Sequence, residues 1–295
     1  MPVLPLLQID AFTTEPLSGN PCAVIFDADE LSVEMMQKIA REMNLSETAF
    51  VMASDNADFR ARYFTPVEEI PLAGHPTIAT THALVESGRF PFSGGSKIMQ
   101  LELQVGIIPV KISGQSAQEA IYTMSQKKPQ FLKSWQPEQV CPAFGLTAAD
   151  LLPDVPIQTV STGTPQLMIP VKNQHILHAI ELDIPRYIEL RANGDFFSTH
   201  IFCLPGLEKG QTFARHFVTP PDLIEDPFTG SATGGMGAYL WHYGIIDSPI
   251  FVAEQGHWMG RPGRAQVEVI GQRSDIETVK VGGPAKTVVR GELLL

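Results

Sequence analysis

No stretch of this 295-residue chain approaches the roughly 20 consecutive apolar positions that a membrane-spanning helix needs. Positive charge is scarce: 21 Lys and Arg stand against 32 Asp and Glu, a net charge of −11. That balance speaks against a general nucleic-acid binder, which needs a basic face to displace counterions, yet one Arg or a helix end still suffices for a small anion. Cysteine is rarer still, with Cys22, Cys141 and Cys203 showing no paired spacing. A disulfide framework, a zinc ribbon and a Cys-x-x-Cys redox motif are therefore unsupported. No Lys or Arg precedes the weakly apolar Val3–Leu7 stretch, so no secretory signal is read and a reduced, cytoplasmic protein is expected.

Several catalytic signatures are missing as well. There is no His-Glu-x-x-His, and His75 and His82 are seven residues apart, a poor spacing for one compact metal site. His175 and His178 lie in a polar segment and read as solvated surface. No Gly-x-Ser-x-Gly elbow supports a serine nucleophile. The glycine-rich run from Gly230 to Gly237 lacks both the Lys-Ser/Thr ending of a phosphate loop and the Gly-x-Gly-x-x-Gly spacing. Gly234, Gly235 and Gly237 serve equally well to let a helix lie close to strands.

What the chain does contain is a repeat. Gly19, Pro21 and Ile25 coincide with Gly163, Pro165 and Ile169 at a spacing of 144 residues. Gly74, Thr77, Leu84 and Gly88 coincide with Gly230, Thr233, Leu240 and Gly244 at a spacing of 156. Two blocks in the same order imply a duplicated, two-lobed architecture.

Local patterns agree. Ser32 is placed to cap a helix running to about Met43, and strands are expected near Ala49–Met52 and Phe59–Phe64. A helix from about Pro76 to Ser87 would stop at Gly88. Leu101, Leu103 and Val105 alternate as in a half-buried strand. In the second half, Thr147 and Asp150 form a capping-box-like pattern. Ile157–Val160 and Leu167–Val171 read as strands, Ser231–Tyr243 as a helix, and Val267, Val269, Val279 and Val281 as closing strands. The expected fold is mixed α/β (α+β) with two similar lobes. The first spans 1–125, with a final strand near 284–295 returning to it, and the second spans 126–283. The stretch from Gln126 to Pro137 is the expected linker, and ligands favour a cleft between lobes.

Gly74 and Gly230 each stand at the start of an expected helix, where unpaired amides and the dipole favour a carboxylate. The candidate acid–base groups are Glu47, His75, Asp226 and Ser231. Glu47 falls where a helix gives way to an apolar strand, and partial desolvation there would raise its pKa into a useful range. A role as an outward-pointing or capping residue remains open for it. Phe64, Phe228, Tyr239 and Trp258 could line a ring pocket, though core packing accounts better for each.

The ordered set Asp10-Ala11-Phe12-Thr13, Gly19-Asn20-Pro21, Ser46-Glu47-Thr48-Ala49-Phe50, Arg62 to Pro66, Ala73 to Thr77 and Glu225 to Ala232 resembles the PhzF family of phenazine-biosynthesis-like isomerases and epimerases. Glu254-Gln255-Gly256 and Met259-Gly260-Arg261 extend the likeness over nearly the whole chain. It is stronger to uncharacterised bacterial members than to the phenazine enzyme. The resemblance implies a diaminopimelate-epimerase-like fold of two pseudo-symmetric lobes, each a curved sheet around a central helix, with the active site between them. It implies catalysis by Glu47 with His75 and Asp226, and ligand contacts at Gly74, His75, Asp226, Gly230 and Ser231. It further implies a homodimer without cofactor or metal. Related racemases use two cysteines, one at each glycine turn; here Ala73 and Thr229 hold those positions, which disfavours a two-thiol mechanism.

The expected activity is thus a cofactor-independent isomerisation, with Glu47 moving a proton on a small, cyclic or unsaturated carboxylic acid. Neither nucleic acid nor membrane is an expected partner. A non-catalytic small-acid binding protein is the alternative, and sequence does not separate the two.

Overall fold

A computed structural model describes residues 3–221 and 223–295. They divide into two units. One contains the described residues of Met1–Ser125 with Gly260–Gly263 and Gly282–Leu295; the other contains Gln126–Met259 and Arg264–Val281.

The first unit begins with β1 (Val3–Ala11), which pairs antiparallel with β2 (Asn20–Ile25) and with the chain's last strand. After α1 (Val33–Met43), β3 (Glu47–Met52) runs parallel to β2, and β4 (Phe59–Phe64) runs antiparallel to β3. The two-residue β5 (Glu69–Ile70) pairs with β4 and leads into α2 (Gly74–Glu86). Next, β6 (Gly95–Leu103) meets β4 in parallel, and β7 (Gly106–Gly114) and β8 (Ile121–Ser125) complete a meander.

Local chemistry explains these elements. Ser32 accepts from Met35 N to start α1, and Asn44 at φ 50° stops it. Met36, Ile39 and Ala40 recur at helical spacing and pack on Phe50, Met52 and Phe64. The side chains of α2 from His75 to Val85 are all buried. It is a core helix, with no polar face to show to water.

The second unit opens with β9 (Gln130–Trp135), α3 (Pro137–Val140) and β10 (Ile157–Ser161), which pairs antiparallel with β9. Half of the Gln126–Pro137 stretch, expected as a linker, is therefore strand: Gln130–Trp135 pairs with β10 and ends at the buried Trp135. β11 (Pro165–Pro170) pairs antiparallel with β10. Two helices, α4 (Gln174–His178) and α5 (Ile184–Ala192), then precede β12 (Ser198–Cys203), which runs parallel to β11. β13 (Thr212–Phe217) is antiparallel to β12, the two-residue β14 (Glu225–Asp226) pairs with β13, and α6 (Gly230–His242) follows. β15 (Ile250–Gln255) meets β13 in parallel, and β16 (Gly263–Gln272), β17 (Asp275–Gly283) and β18 (Ala285–Leu294) end the chain.

The order parallel, antiparallel, two-residue strand, buried helix, parallel thus occurs in both units. Matching ion pairs mark the repeat. Arg62 forks onto Glu69 at 2.7 and 2.6 Å, and Arg215 forks onto Glu225 at 2.9 and 2.7 Å. Each guanidinium also lies over a Phe two residues on, Phe64 or Phe217. Thr77 and Thr233 each donate to the carbonyl four residues back, at 2.8 and 2.9 Å.

Two further expectations change. β6 ends at Leu103, and Val105 sits 43% exposed in the turn, because the tight Gly106 hairpin takes over there. Phe64, Phe228 and Tyr239 are core residues, but Trp258 is 36% exposed, its ring 4.6 Å from that of His178 and 4.5 Å from that of Phe213.

Candidate active site

In the first unit the parallel β2–β3 ladder sets Cys22 opposite Glu47. Glu47 is the first residue of β3 and keeps 17% of its side chain exposed, while Thr48 and the rest of the strand are buried. This largely buried carboxylate lies 3.1 Å, Oε2 to Nε2, from His75 in the first turn of α2. The side-chain amide of Asn20, at the head of β2, is hydrogen-bonded to His75 Nδ1 at 3.0 Å. The donor in that pair is set by the imidazole tautomer, and Nε2 is the ring nitrogen that faces Glu47. The 3.1 Å approach does not have the geometry of a hydrogen bond between those two atoms.

Burial drives the His75 pKa down to about 3, against a smaller upward pull from the Pro21 carbonyl. The imidazole is neutral at ordinary pH and faces Glu47 without a full charge. Burial, and then the charge on Glu47, push the Cys22 thiol well above its usual range, so it stays protonated and unreactive. Ala73 stands at the N-cap of α2 and makes no side-chain cap hydrogen bond.

In the second unit Asp226, Gly230 and Ser231 gather at the start of α6. Asp226 pairs with His216 across β13–β14. The Thr229 hydroxyl donates to Asp226 Oδ2. Gln255 braces the same turn: its Nε2 donates to the Asp226 carbonyl at 2.7 Å, and its Oε1 accepts from Thr229 N at 3.2 Å. Ser231 Oγ accepts from Gln166 Nε2 at 3.0 Å, and the Gly230 carbonyl accepts from Gln126 Nε2 at 2.9 Å.

The later glycines of α6 are there for packing. A Cβ on Gly234 would come within 1.9 Å of the Gln126 amide, one on Gly235 within 2.6 Å of Met168, and one on Gly237 within 2.8 Å of Val267. Asn20, Gln126, Gln166 and Gln255 are absent from the residues singled out on sequence. For Asn20, Gln166 and Gln255 the available signal was a place in or beside Gly19-x-Pro21, Gly163-x-Pro165 and Glu254-Gln255-Gly256; Gln126 had none. Among the described residues, no group of three or more His, Cys, Asp and Glu is placed to hold a metal ion. None of their helices is long and apolar enough to cross a membrane.

Residues 9–291 match the family described as phenazine biosynthesis-like protein. The uncharacterized isomerase YfhB of Bacillus subtilis is 35% identical over 267 residues, covering 90% of each chain. The trans-2,3-dihydro-3-hydroxyanthranilate isomerase of Pseudomonas aeruginosa is 33% identical over 290 residues, covering 97% of this chain and 98% of its own. The crystal structure of a Bacillus anthracis phenazine biosynthesis protein of the PhzF family superposes with a TM-score of 0.88 at 34% identity, covering all of both chains. The chain belongs to the PhzF family of phenazine biosynthesis-like proteins and is an enzyme of the isomerase type that its full-length relatives represent.

Proposed function

We propose that this isomerase moves a proton between two carbons of a small, cyclic or unsaturated carboxylic acid, with Glu47 as the acid/base and no cofactor. Glu47 takes a proton from a carbon beside the unsaturated system, the electron pair spreads into that system, and the same proton returns to another carbon. Atoms and electrons balance with no co-reactant. The observation that carries the reading is the largely buried Glu47 carboxylate 3.1 Å from a neutral, buried His75 at the head of α2. A neutral imidazole can orient Glu47 or the substrate without locking the carboxylate into a full ion pair.

Asp226 would orient polar groups of the substrate, and the amides near Gly74, Gly230 and Ser231 would hold its carboxylate or developing negative charge. Each well-placed donor is worth roughly 3 kcal/mol in a transition state. Proton transfer by Glu47 adds roughly 100- to 10,000-fold. The activity named for the Pseudomonas aeruginosa relative suggests trans-2,3-dihydro-3-hydroxyanthranilate as the first probe, beside simpler cyclic unsaturated acids.

Wild type and Glu47→Gln are to be compared on any acid the wild type converts, with carbon-bound deuterium followed in heavy water. Loss of conversion by at least two orders of magnitude is expected. Equal rates would remove Glu47 from the chemistry.

A further inference from the structure

Resting on the reading of Glu47 and His75 above, we infer that Arg261 is a positioning residue: it fixes the turn that aims Asn20 at His75, and through it the imidazole that faces Glu47. Arg261 lies in the Gly260–Gly263 segment, which belongs to the first unit although its sequence neighbours belong to the second. Its fork binds three oxygens. Nη2 donates to Asp10 Oδ1 at 2.7 Å and to the Ser18 carbonyl at 2.9 Å, and Nε donates to the Gly19 carbonyl at 2.9 Å. Asp10 Oδ2 accepts from Leu17 N at 2.7 Å, and Gly19 N donates to Pro262 O at 3.0 Å. One guanidinium and its buried carboxylate thus hold Leu17, Ser18 and Gly19 in succession.

Asn20 is the next residue, and its amide reaches His75 at 3.0 Å. The turn needs such a clasp. Phe12, Leu17 and Gly19 have φ of 64°, 63° and 59°, a left-handed region that is unfavourable for the two side-chain-bearing residues. The Asp10 side chain is only 1% exposed and would be a stranded carboxylate without its partner. A lysine has one point of charge where the fork reaches three acceptors, so geometry selects arginine.

The test reads the ring nitrogens of His75 by NMR in the full-length protein labelled with 15N-histidine, with the signal assigned by its loss in His75→Asn. Wild type should show a single tautomer, with the two nitrogens well separated in shift. In Arg261→Ala the two nitrogens should move toward the averaged values of a freely exchanging imidazole, and added guanidinium ion should restore the split. His82 is the control, since it sits in the same unit but is bonded to Tyr122 and Thr287. An unmoved His75 overturns the inference. So does joint movement of His75 and His82, which means general loosening, and so does failure of guanidinium to restore the signal. If Arg261→Ala does not fold, Asp10→Asn is read by the same His75 and His82 criteria. None of these readouts needs turnover, so a failed Glu47→Gln comparison would leave them intact.

Discussion

Ser198 occupies in the second unit the register position that Glu47 occupies in the first. Glu47 opens β3 opposite Cys22, and Ser198 opens β12 opposite Gln166. The shared Gly-x-Pro turns put Cys22 and Gln166 in corresponding places. The duplicated backbone therefore carries an acid in one unit and a hydroxyl in the other.

Ser198 Oγ is buried without a hydrogen-bond partner. Ser198→Ala removes an unpaid desolvation cost, so thermal unfolding should stay level or shift upward, by about 1 kcal/mol of stability. Activity should fall far less than in Glu47→Gln. A clear loss of thermal stability would show that the hydroxyl is engaged in the folded protein.

Buried histidines set the acid limit of stability. His75 and His216 are driven to about 3 by burial, and His200 is pushed well down by burial and then by His216, whose Nδ1 lies 3.2 Å away. Their ordinary value is 6.5, so below that pH the unfolded chain binds protons that the folded one refuses. Stability is whole above pH 6.5 and falls as pH drops toward 3. Each histidine contributes up to about 1.4 kcal/mol per pH unit. Urea unfolding of wild type and His75→Asn between pH 6.5 and 4.5 should show a shallower slope in the variant; parallel slopes would contradict a neutral, buried His75.

The hydroxyl of Thr229 ties down Asp226. Thr229→Ser keeps that bond and should retain activity, whereas Thr229→Ala and Asp226→Asn should each lower kcat/KM roughly tenfold or more, the scale of one lost charge-assisted hydrogen bond. Far-UV circular dichroism should stay unchanged in all three. Unfolding of Asp226→Asn would return Asp226 to a structural role.

The two Arg–Glu forks should be energetic twins. Both are partly buried, with Arg62 and Glu69 21% and 19% exposed, and Arg215 and Glu225 17% and 20%. Double-mutant cycles by denaturant unfolding should give similar couplings in the two units, on the order of 1–3 kcal/mol. Arg215 also donates to the Leu177 and Ile180 carbonyls, so Arg215→Ala alone should cost more than Arg62→Ala. Equal single-variant costs would mean that those two long bonds add nothing.

Much of the frame could be read along the chain because short-range rules govern it. The cap at Ser32, the strand Phe59–Phe64 and the starts of α2 and α6 rest on neighbours a few residues away, and Gly88 at φ 74° follows α2 as its sequence suggests. The Gln126–Pro137 stretch misled because Lys, Gln and Pro suit a connector, and pairing with β10 overrides that composition. Trp258 misled in the opposite direction: its size suggests a core, but its ring rests on the rim of Phe213 and His178.

The sequence by itself determined the duplicated order of elements, the glycine turns that begin both buried helices and the want of a second carboxylate at the place where Ser198 stands. Only the tertiary structure decided that Asn20 would hold His75, 55 positions away, and that Arg261 would clasp Asp10, 251 positions away. Helix caps and strand alternation are written in neighbouring residues. The polarity and aim of a buried side chain depend on which distant strands the folded sheet brings beside it, and no local pattern records that.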